Sequence, residues 1–236
     1  MQLFYHPNLT ADTTQDIFSK EESKHIVKVL RKKTGDRINI TNGKGHFFVA
    51  TIEEASPSKC TIRILEKEQQ QPLPYYIHLA VAPTKLNDRY EWFLEKSTEI
   101  GISEITPMYC DHSERTKIKP ERYEKILLSA MKQSLKAHLP KLNKAISFKE
   151  FIANNQESNT EKYIAHCEET ERKLLKDCLQ PRKSVTLLIG PEGDFSTDEI
   201  ALALQNDYTP VSLGNSRLRT ETAAIVACHS VAFVNE

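Results

Sequence analysis

The sequence predicts an α/β protein in which a small β-rich domain precedes a larger domain with a parallel sheet. Three observations predict this class. Short β-rich runs fill most of the first seventy residues, a polar proline-bearing linker follows at 69–74, and apolar strand-like runs then alternate with helix-like stretches to the end. Such alternation is typical of βαβ units, whose strands are parallel. We therefore place one domain at residues 1–70 and a second at 75–236.

The first domain is predicted to contain a hairpin and one helix. Strands are expected at 37–41, 47–52 and 60–65. Asn42-Gly43 separates the first two, and Asn-Gly between β-rich runs is a strong hairpin signal. A helix over 20–32 begins after Ser19, with Glu22 three residues on, as in a capping box. These elements predict a small β-barrel that carries one helix.

The second domain is predicted to alternate strands and helices. Strands are expected at 76–81, 104–109, 185–189 and 211–213. A helix over 88–100 has its apolar residues on one face. Another begins at Pro120, a residue suited to the first helical position. The polar stretch 154–160 is predicted to be a loop.

The composition excludes several classes of protein. No run approaches the roughly 20 apolar residues of a membrane span, and the amino terminus lacks the features of a signal peptide. The five cysteines are scattered and form no C-x-x-C, which favours reduced thiols over disulfides or zinc. The eight histidines show no metal-ligand spacing such as H-E-x-x-H. We therefore expect a cytoplasmic protein with no bound metal and no membrane partner.

Two glycine-bearing loops each follow a predicted buried strand in the last third of the chain. The first is Gly190-Pro191-Glu192-Gly193, and the second begins at Leu213-Gly214. Ligands of open α/β sheets bind just outside such strand ends, where glycine allows close backbone approach. An ordinary tight turn explains the first loop equally well, and a plain strand-to-helix connection explains the second. Neither the dinucleotide nor the P-loop pattern is present. The residues themselves predict a pocket without identifying its ligand.

Several spaced motifs together resemble the RsmE family, which belongs to the SPOUT superfamily of knotted methyltransferases. The most specific are the two loops just described and the segment Leu218-Arg219-Thr220-Glu221-Thr222-Ala223. Further similarity, in the same order along the chain, is found at 25–31, 85–102, 120–122, Ser134 and Pro140. Asp194 departs from the family, which often has glycine there, and Ser216-Arg217 stands where Arg-Ile is frequent. Both departures lie in loops and put local contacts with cofactor or RNA in doubt.

The resemblance implies a fold and an activity. Residues 1–70 would form a PUA-like RNA-binding barrel, and 75–236 a SPOUT-type parallel sheet with a deep trefoil knot. The knot cannot be derived from the pattern, since knots are nearly absent among folds. The implied reaction is S-adenosylmethionine (SAM)-dependent methylation of N3 of a uridine in 16S rRNA of the small ribosomal subunit, by a homodimer.

If this reaction is correct, the two loops and the charged pair beside the second supply the candidate cofactor and catalytic residues. The cofactor pocket would be lined by Gly190, Glu192, Gly193, Leu213, Gly214, Leu218 and Thr222. Arg219 is the candidate to stabilise charge on the uracil or to hold an RNA phosphate. Glu221 is a candidate proton acceptor, although a structural role at a helix N-terminus is favoured for it. Glu192 has the same ambiguity. Methyl transfer itself needs no protein nucleophile, because alignment of donor and acceptor supplies most of the effect.

Basic residues indicate where RNA binds. The whole chain has no net charge, but residues 145–236 carry 9 Lys/Arg against 14 Asp/Glu, so positive charge is concentrated earlier. Residues 115–144 hold nine basic and two acidic residues. In a helix from Pro120, Lys125, Ser129, Lys132 and Lys136 would form one polar stripe. The predicted RNA-binding residues are His25, Arg31, Arg115, Lys125, Lys132 and Lys136. A solvated helix face is the alternative for the stripe, and packing or capping the alternative for His25.

Two other functions remain possible for this sequence. One is a non-catalytic RNA-binding module, such as a ribosome assembly factor, and the other is a metabolic α/β enzyme unrelated to RNA. SAM binding separates the leading hypothesis from the first. The basic residues and the predicted barrel argue against the second.

Overall fold

The computed structural model describes residues 2–155, 159–168 and 171–236. The chain divides into two compact units: the first is Met1–Pro72 with Met131–Leu139, and the second is Leu73–Ala130 with Pro140–Glu236. The segment Met131–Leu139 therefore belongs to the first unit, although it follows the predicted 70–75 boundary by some sixty residues along the chain. The predicted loop at 154–160 lies partly outside the described residues.

The first unit is built on a five-stranded sheet with the order β1-β3-β4-β5-β2. Its strands are β1 (Leu3–Tyr5), β2 (Gln15–Ile17), β3 (Arg37–Thr41), β4 (His46–Ser56) and β5 (Lys59–Gln69). β3 and β4 pair antiparallel, as the Asn-Gly hairpin signal predicts. β4 and β5 run longer than predicted, with bulges that shift their register at Val49/Ala50 and Ile52/Glu54. One face of the sheet is buried in a core that includes Phe4, Phe18, Ile26, Ile40 and Phe48.

The helix of the first unit is shorter than predicted and changes type. Helix α1 (Lys20–Lys24) begins at Ser19, whose side chain accepts a hydrogen bond from the Glu22 backbone N–H. It continues as a π-helical stretch over His25–Val29. Arg31 then adopts a left-handed conformation with φ 55°, which a helix cannot contain. The predicted extension to residue 32 is therefore wrong.

The second unit is an α/β domain with a parallel sheet, as the alternation of strands and helices predicts. The strands are β6 (Tyr76–Val81), β7 (Glu104–Tyr109), β8 (Lys141–Leu142), β9 (Ile146–Ser147), β10 (Thr160–Ala165), β11 (Lys173–Leu174), β12 (Ser184–Ile189) and β13 (Thr209–Ser212). Their order is β11-β13-β10-β12-β6-β7-β8, with β9 also paired to β7. All the pairs in this sheet are parallel.

In the described part of the chain, six helices accompany this sheet: α2 (Asn87–Ile100), α3 (Pro120–Gln133), α4 (Phe148–Asn154), α5 (Leu175–Cys178), α6 (Thr197–Gln205) and α7 (Thr220–Val234). Helices α2 and α7 pack against each other. Helix α6 is fixed at its start by a full capping box between Ser196 and Glu199. The described ranges contain no helix that is long and apolar enough to cross a membrane.

The end of helix α3 makes the lysine stripe shorter than predicted. It starts at Pro120 as expected but ends at Gln133. Leu135 adopts φ 54°, and the Lys136 backbone N–H donates to the Met131 carbonyl at 3.1 Å, which closes the helix. Lys136 thus lies beyond the helix and cannot extend its stripe, which is limited to Lys125, Ser129 and Lys132.

Candidate functional site

Three neighbouring strands of the second unit, β13, β10 and β12, end at the same edge of the sheet. The loops that follow them line a cavity of about 270 Å³. Its lining includes Cys167 after β10, Gly190 and Glu192 after β12, and Leu218 and Arg219 after β13. The carboxyl edge of a parallel sheet is where α/β proteins bind ligands, so this cavity is the candidate functional site.

The loop between β12 and α6 forms one wall of the cavity and is tightly packed. The Thr220 hydroxyl, which is buried, donates to the Gly190 carbonyl at 3.1 Å. A Cβ on Gly190 would approach the Phe195 ring to 3.1 Å, so glycine lets the ring close against the backbone. Gly193 does not line the cavity, and a Cβ there would lie 3.1 Å from the His112 Cβ. Both glycines therefore serve loop packing, and Gly190 also lines the cavity.

The segment after β7 braces this loop from outside the cavity. His112 Nδ1 lies 3.1 Å from the carbonyls of both Gly193 and Asp194. The Asp111 backbone N–H donates to Glu199 at 3.0 Å, and the Ser196 hydroxyl donates to the Asp111 carboxylate at 2.7 Å. Burial raises the pKa of Glu199, against the lowering effect of the hydrogen bonds that it receives from the Ser196 and Asp111 backbone N–H groups. The start of α6 is thereby fixed to the end of β7.

Glu192 connects the cavity to the loop before α2. Its Oε1 accepts a hydrogen bond from the Lys85 backbone N–H at 2.9 Å. Its Oε2 is buried and has no hydrogen-bond partner among the described residues. A buried carboxylate oxygen without a donor is costly, so it is an acceptor that a bound ligand can satisfy. The placement supports a ligand-contacting role for Glu192.

Arg115 holds the same loop from the other side. Its Nε donates to the Thr84 carbonyl at 2.9 Å, and one terminal nitrogen donates to the Lys85 carbonyl at 2.7 Å. A guanidinium that donates hydrogen bonds to two successive backbone carbonyls restricts the conformation of the loop. The structure thus places Arg115 within the scaffold of the site, whereas the sequence predicts it on an RNA-facing surface.

Leu213 and Gly214 line a second cavity of about 300 Å³, together with Leu174, Leu175 and Ser230. Gly214 has φ 129°, and a Cβ built there meets no atom within 4 Å. The structure therefore does not bring these two residues into the first cavity with Gly190 and Leu218. The positive φ at residue 214 still favours glycine there.

The catalytic candidates have different surroundings. Arg219 is exposed, lines the first cavity and occupies the N-cap of α7. Glu221 is buried, with Oε1 3.8 Å from Arg89 Nε of α2, and it does not line the cavity. Thr222 is half-buried and lines neither cavity. The geometry fits the structural role favoured for Glu221, a carboxylate in the first turn of a helix.

The remaining predicted RNA-binding residues are distributed over both units. In the first unit, His25 packs edge-on against Phe4, Arg31 is exposed, and Lys132 Nζ lies 3.9 Å from Glu22. In the second unit, Lys125 is exposed on α3. Lys136 is half-buried.

Some features of the site were not predicted from sequence. These are the contribution of the β10 end, the side-chain contacts of Asp194 and the braces from His112 and Arg115. Only Asp194 carried a signal, as a departure from the family's glycine. Within the described ranges, no group of three or more His, Cys, Asp or Glu side chains is placed to hold a metal ion.

The chain matches known RNA methyltransferases along most of its length. Residues 71–232 match the RNA methyltransferase domain family, and residues 18–65 match the RNA methyltransferase PUA domain family. Ribosomal RNA small subunit methyltransferase E of Buchnera aphidicola subsp. Acyrthosiphon pisum is 34% identical over 225 residues, which cover 92% of this chain and 87% of that protein.

Solved structures agree with this match. A protein from Porphyromonas gingivalis, described as a probable rRNA-methyltransferase, superposes with a TM-score of 0.92 at 42% identity, covering 100% of this chain and 98% of that one. A protein from Legionella pneumophila, described as a methyltransferase in complex with the bound cofactor SAM, gives a TM-score of 0.86 at 30% identity, covering 99% and 97%. The predicted α/β fold with a PUA-like amino-terminal unit is confirmed, and the chain belongs to the ribosomal RNA small subunit methyltransferase E (RsmE) family.

Proposed function

We propose that this protein transfers a methyl group from SAM to N3 of a uridine in 16S rRNA of the small ribosomal subunit. Family membership supports the reaction class. The observation that carries the proposal is the cavity at the carboxyl edge of β10, β12 and β13, in a fold shared with the SAM-bound Legionella pneumophila protein. Because small ribosomal subunits reside in the cytoplasm, we place the activity there.

The residues of the cavity fit the cofactor. Leu218, Ala223 and Pro191 supply apolar surface, and the Gly190 region supplies backbone polar groups. The orphaned Glu192 Oε2 offers an acceptor for a ligand hydroxyl or ammonium group. SAM supplies, when bound, an electrophilic methyl group on a sulfonium. We therefore propose that Gly190, Glu192 and Leu218 hold it, while Leu213, Gly214, Gly193 and Thr222 shape the surrounding loops.

Arg219 is proposed to act on the acceptor base. Uracil N3 bears a proton that must pass to water before the new N–C bond is complete, and negative charge spreads onto the flanking ring oxygens as this proton leaves. A guanidinium at the cavity and the positive end of α7 both stabilise such charge. Glu221, buried beside Arg89, is proposed to position the start of α7 and not to accept the proton.

RNA is proposed to contact exposed cations of each unit. Arg31 presents its guanidinium from the first unit, where its left-handed backbone turns the chain after the π-helical stretch. Lys125 presents its ammonium group on α3 of the second unit. Planar donors suit phosphates and base edges, and lysine provides a point charge. His25 and Arg115, by contrast, are proposed to have structural roles.

We propose that the protein forms a homodimer, because α2 and α7 expose large apolar side chains. Leu86 at the start of α2, Trp92 on α2 and Phe233 on α7 remain 49%, 46% and 68% exposed. Large apolar side chains exposed on two helices that pack together are typical of an interaction surface. Sedimentation of the wild type and of Phe233→Arg tests this, because the variant should shift from dimer to monomer.

Incubation with isolated small subunits tests the main proposal. Subunits lacking the modification, purified protein and SAM should yield 3-methyluridine in nucleoside mass spectrometry, at one site in 16S rRNA. Arg219→Ala should still bind SAM and rRNA but methylate slowly under single-turnover conditions with both ligands saturating. Subunit binding by the wild type without any methylated nucleoside would instead support the RNA-binding module.

A further inference from the structure

Asp194 adopts a backbone conformation that suits the glycine it replaces. Its φ is 64°, in the left-handed region that side chains other than those of Asn and Asp rarely enter. Its backbone N–H closes a turn onto the Pro191 carbonyl at 3.0 Å, so the conformation is required by the path of the loop. Glycine would adopt this conformation without cost. An aspartate here therefore calls for a compensating interaction of its side chain.

The side chain supplies that interaction within the cavity wall. Asp194 Oδ2 accepts a hydrogen bond from the Cys167 backbone N–H at 2.6 Å, and Oδ1 accepts one from the Phe195 backbone N–H at 2.9 Å. The first bond joins the loop after β12 to the segment after β10. Asp194 and Cys167 both line the cavity. The carboxylate thus ties two walls of the site together at a position where the family's usual glycine has no side chain.

The same carboxylate changes the charge of the cavity. The charged residues in the lining are Glu192, Asp194, Arg217 and Arg219, two of each sign. With glycine or asparagine at 194, one carboxylate would face two guanidinium groups, and the lining would be net positive. SAM carries a net positive charge because of its sulfonium, whereas the product S-adenosylhomocysteine (SAH) is neutral. A carboxylate in the wall therefore favours the substrate over the product.

We propose that Asp194 is a specificity-determining residue of this chain, which ties the β10 and β12 loops together and favours SAM over SAH through its negative charge. The inference rests on the proposed cofactor pocket. Discrimination of this kind reduces product inhibition, since the neutral product loses the attraction that helped to hold the cationic substrate.

Calorimetric titration of the full chain with SAM and with SAH tests the proposal. Asp194→Asn tolerates the left-handed backbone, removes the charge and keeps one amide oxygen to accept from the Cys167 backbone N–H, while the bond from Phe195 is lost. It should weaken SAM binding by about fivefold to tenfold and SAH binding by no more than about twofold. Asp194→Gly also removes the tether, so both ligands should bind more weakly, with the larger loss for SAM.

Two further variants separate the possible outcomes. Asp207→Asn is the matched control, because Asp207 also has a positive φ (66°) but is exposed and does not line the cavity, and its affinities should equal those of the wild type. Leu218→Ala reports on the pocket and should weaken both ligands alike. Equal losses of SAM and SAH in Asp194→Asn would overturn the charge selectivity. If Leu218→Ala changed neither affinity, the pocket assignment itself would be wrong.

Discussion

Glu104 is the central acceptor of a buried polar network in the second unit, and its contribution to the stability of that unit can be measured. The side chain is 12% exposed. Tyr76 donates to its Oε2 at 2.5 Å, while Lys141 and Asn143 donate to its Oε1 at 2.8 and 2.6 Å. Burial by itself raises the pKa of Glu104, but these three hydrogen bonds outweigh it and lower the pKa from 4.5 to about 2.

The lowered pKa corresponds to a stabilising contribution of about 3 kcal/mol at neutral pH. A carboxylate with a lowered pKa stabilises the folded state above its unfolded pKa of 4.5. The contribution declines as the pH falls from there through the folded value of about 2. By about pH 3, less than half of it should remain.

Urea unfolding of Glu104→Gln measures this contribution. Trp92 is the single tryptophan of the chain and lies on α2, so its fluorescence reports unfolding of the second unit. We expect the variant to be less stable than the wild type by about 2–3 kcal/mol at pH 7, and by about half as much near pH 3. Glu95→Gln is the control, because its partly exposed pair with Lys96 should contribute less than about 1 kcal/mol. A wild-type-to-variant difference that stayed constant between the two pH values would refute the reasoning.

Three other substitutions test the site and its surroundings. Arg115→Ala should weaken SAM binding about tenfold in calorimetry, because the Thr84 and Lys85 carbonyls lose their donor, and Arg115→Lys should recover part of the affinity. If SAM affinity were unaltered but the dependence of RNA binding on salt concentration changed, Arg115 would contact phosphate instead. Lys125→Ala should reduce the magnitude of the salt slope of RNA binding by about 0.7–0.9, and an unchanged slope would identify a solvated residue. Gly214→Ala should lower the free energy of unfolding by about 1–2 kcal/mol in thermal melts. The backbone φ of 129° is the only cause expected, since the new Cβ meets no atom within 4 Å, and an unchanged melting temperature would contradict this.

The strands at the centre of the parallel sheet were predictable because their residues are buried on both faces. β6 and β7 occupy the predicted bounds, 76–81 and 104–109, and nearly every residue in them is buried. The order of the strands was not predictable, because alternation of elements does not determine which strands become neighbours. The knot is implied by the family resemblance alone.

Helix ends and site contacts were less predictable, because long-range contacts decide them. Helix α3 ends where the following segment joins the first unit, with the Ala137 backbone N–H donating to Gln70 and that of Leu139 donating to the Gly43 carbonyl. Nothing local in residues 131–139 indicates these partners. The tether from Asp194 to Cys167 spans 27 residues in the same way. The glycine motifs identified the loop that carries it, but not the loop that receives it.

The return of Met131–Leu139 to the first unit has a consequence for biosynthesis. Three hydrogen bonds, with the backbone of Gly43 and Gly45 and the side chain of Gln70, come from residues that leave the ribosome more than sixty positions after the first unit's last strand. During translation, the amino-terminal unit therefore lacks its Met131–Leu139 segment until the first strands and helices of the methyltransferase domain have been synthesised. A fragment that stops at residue 72 would lack the Met131–Leu139 segment and leave these groups of Gly43, Gly45 and Gln70 without their partners, so a contiguous amino-terminal fragment is not the complete first unit.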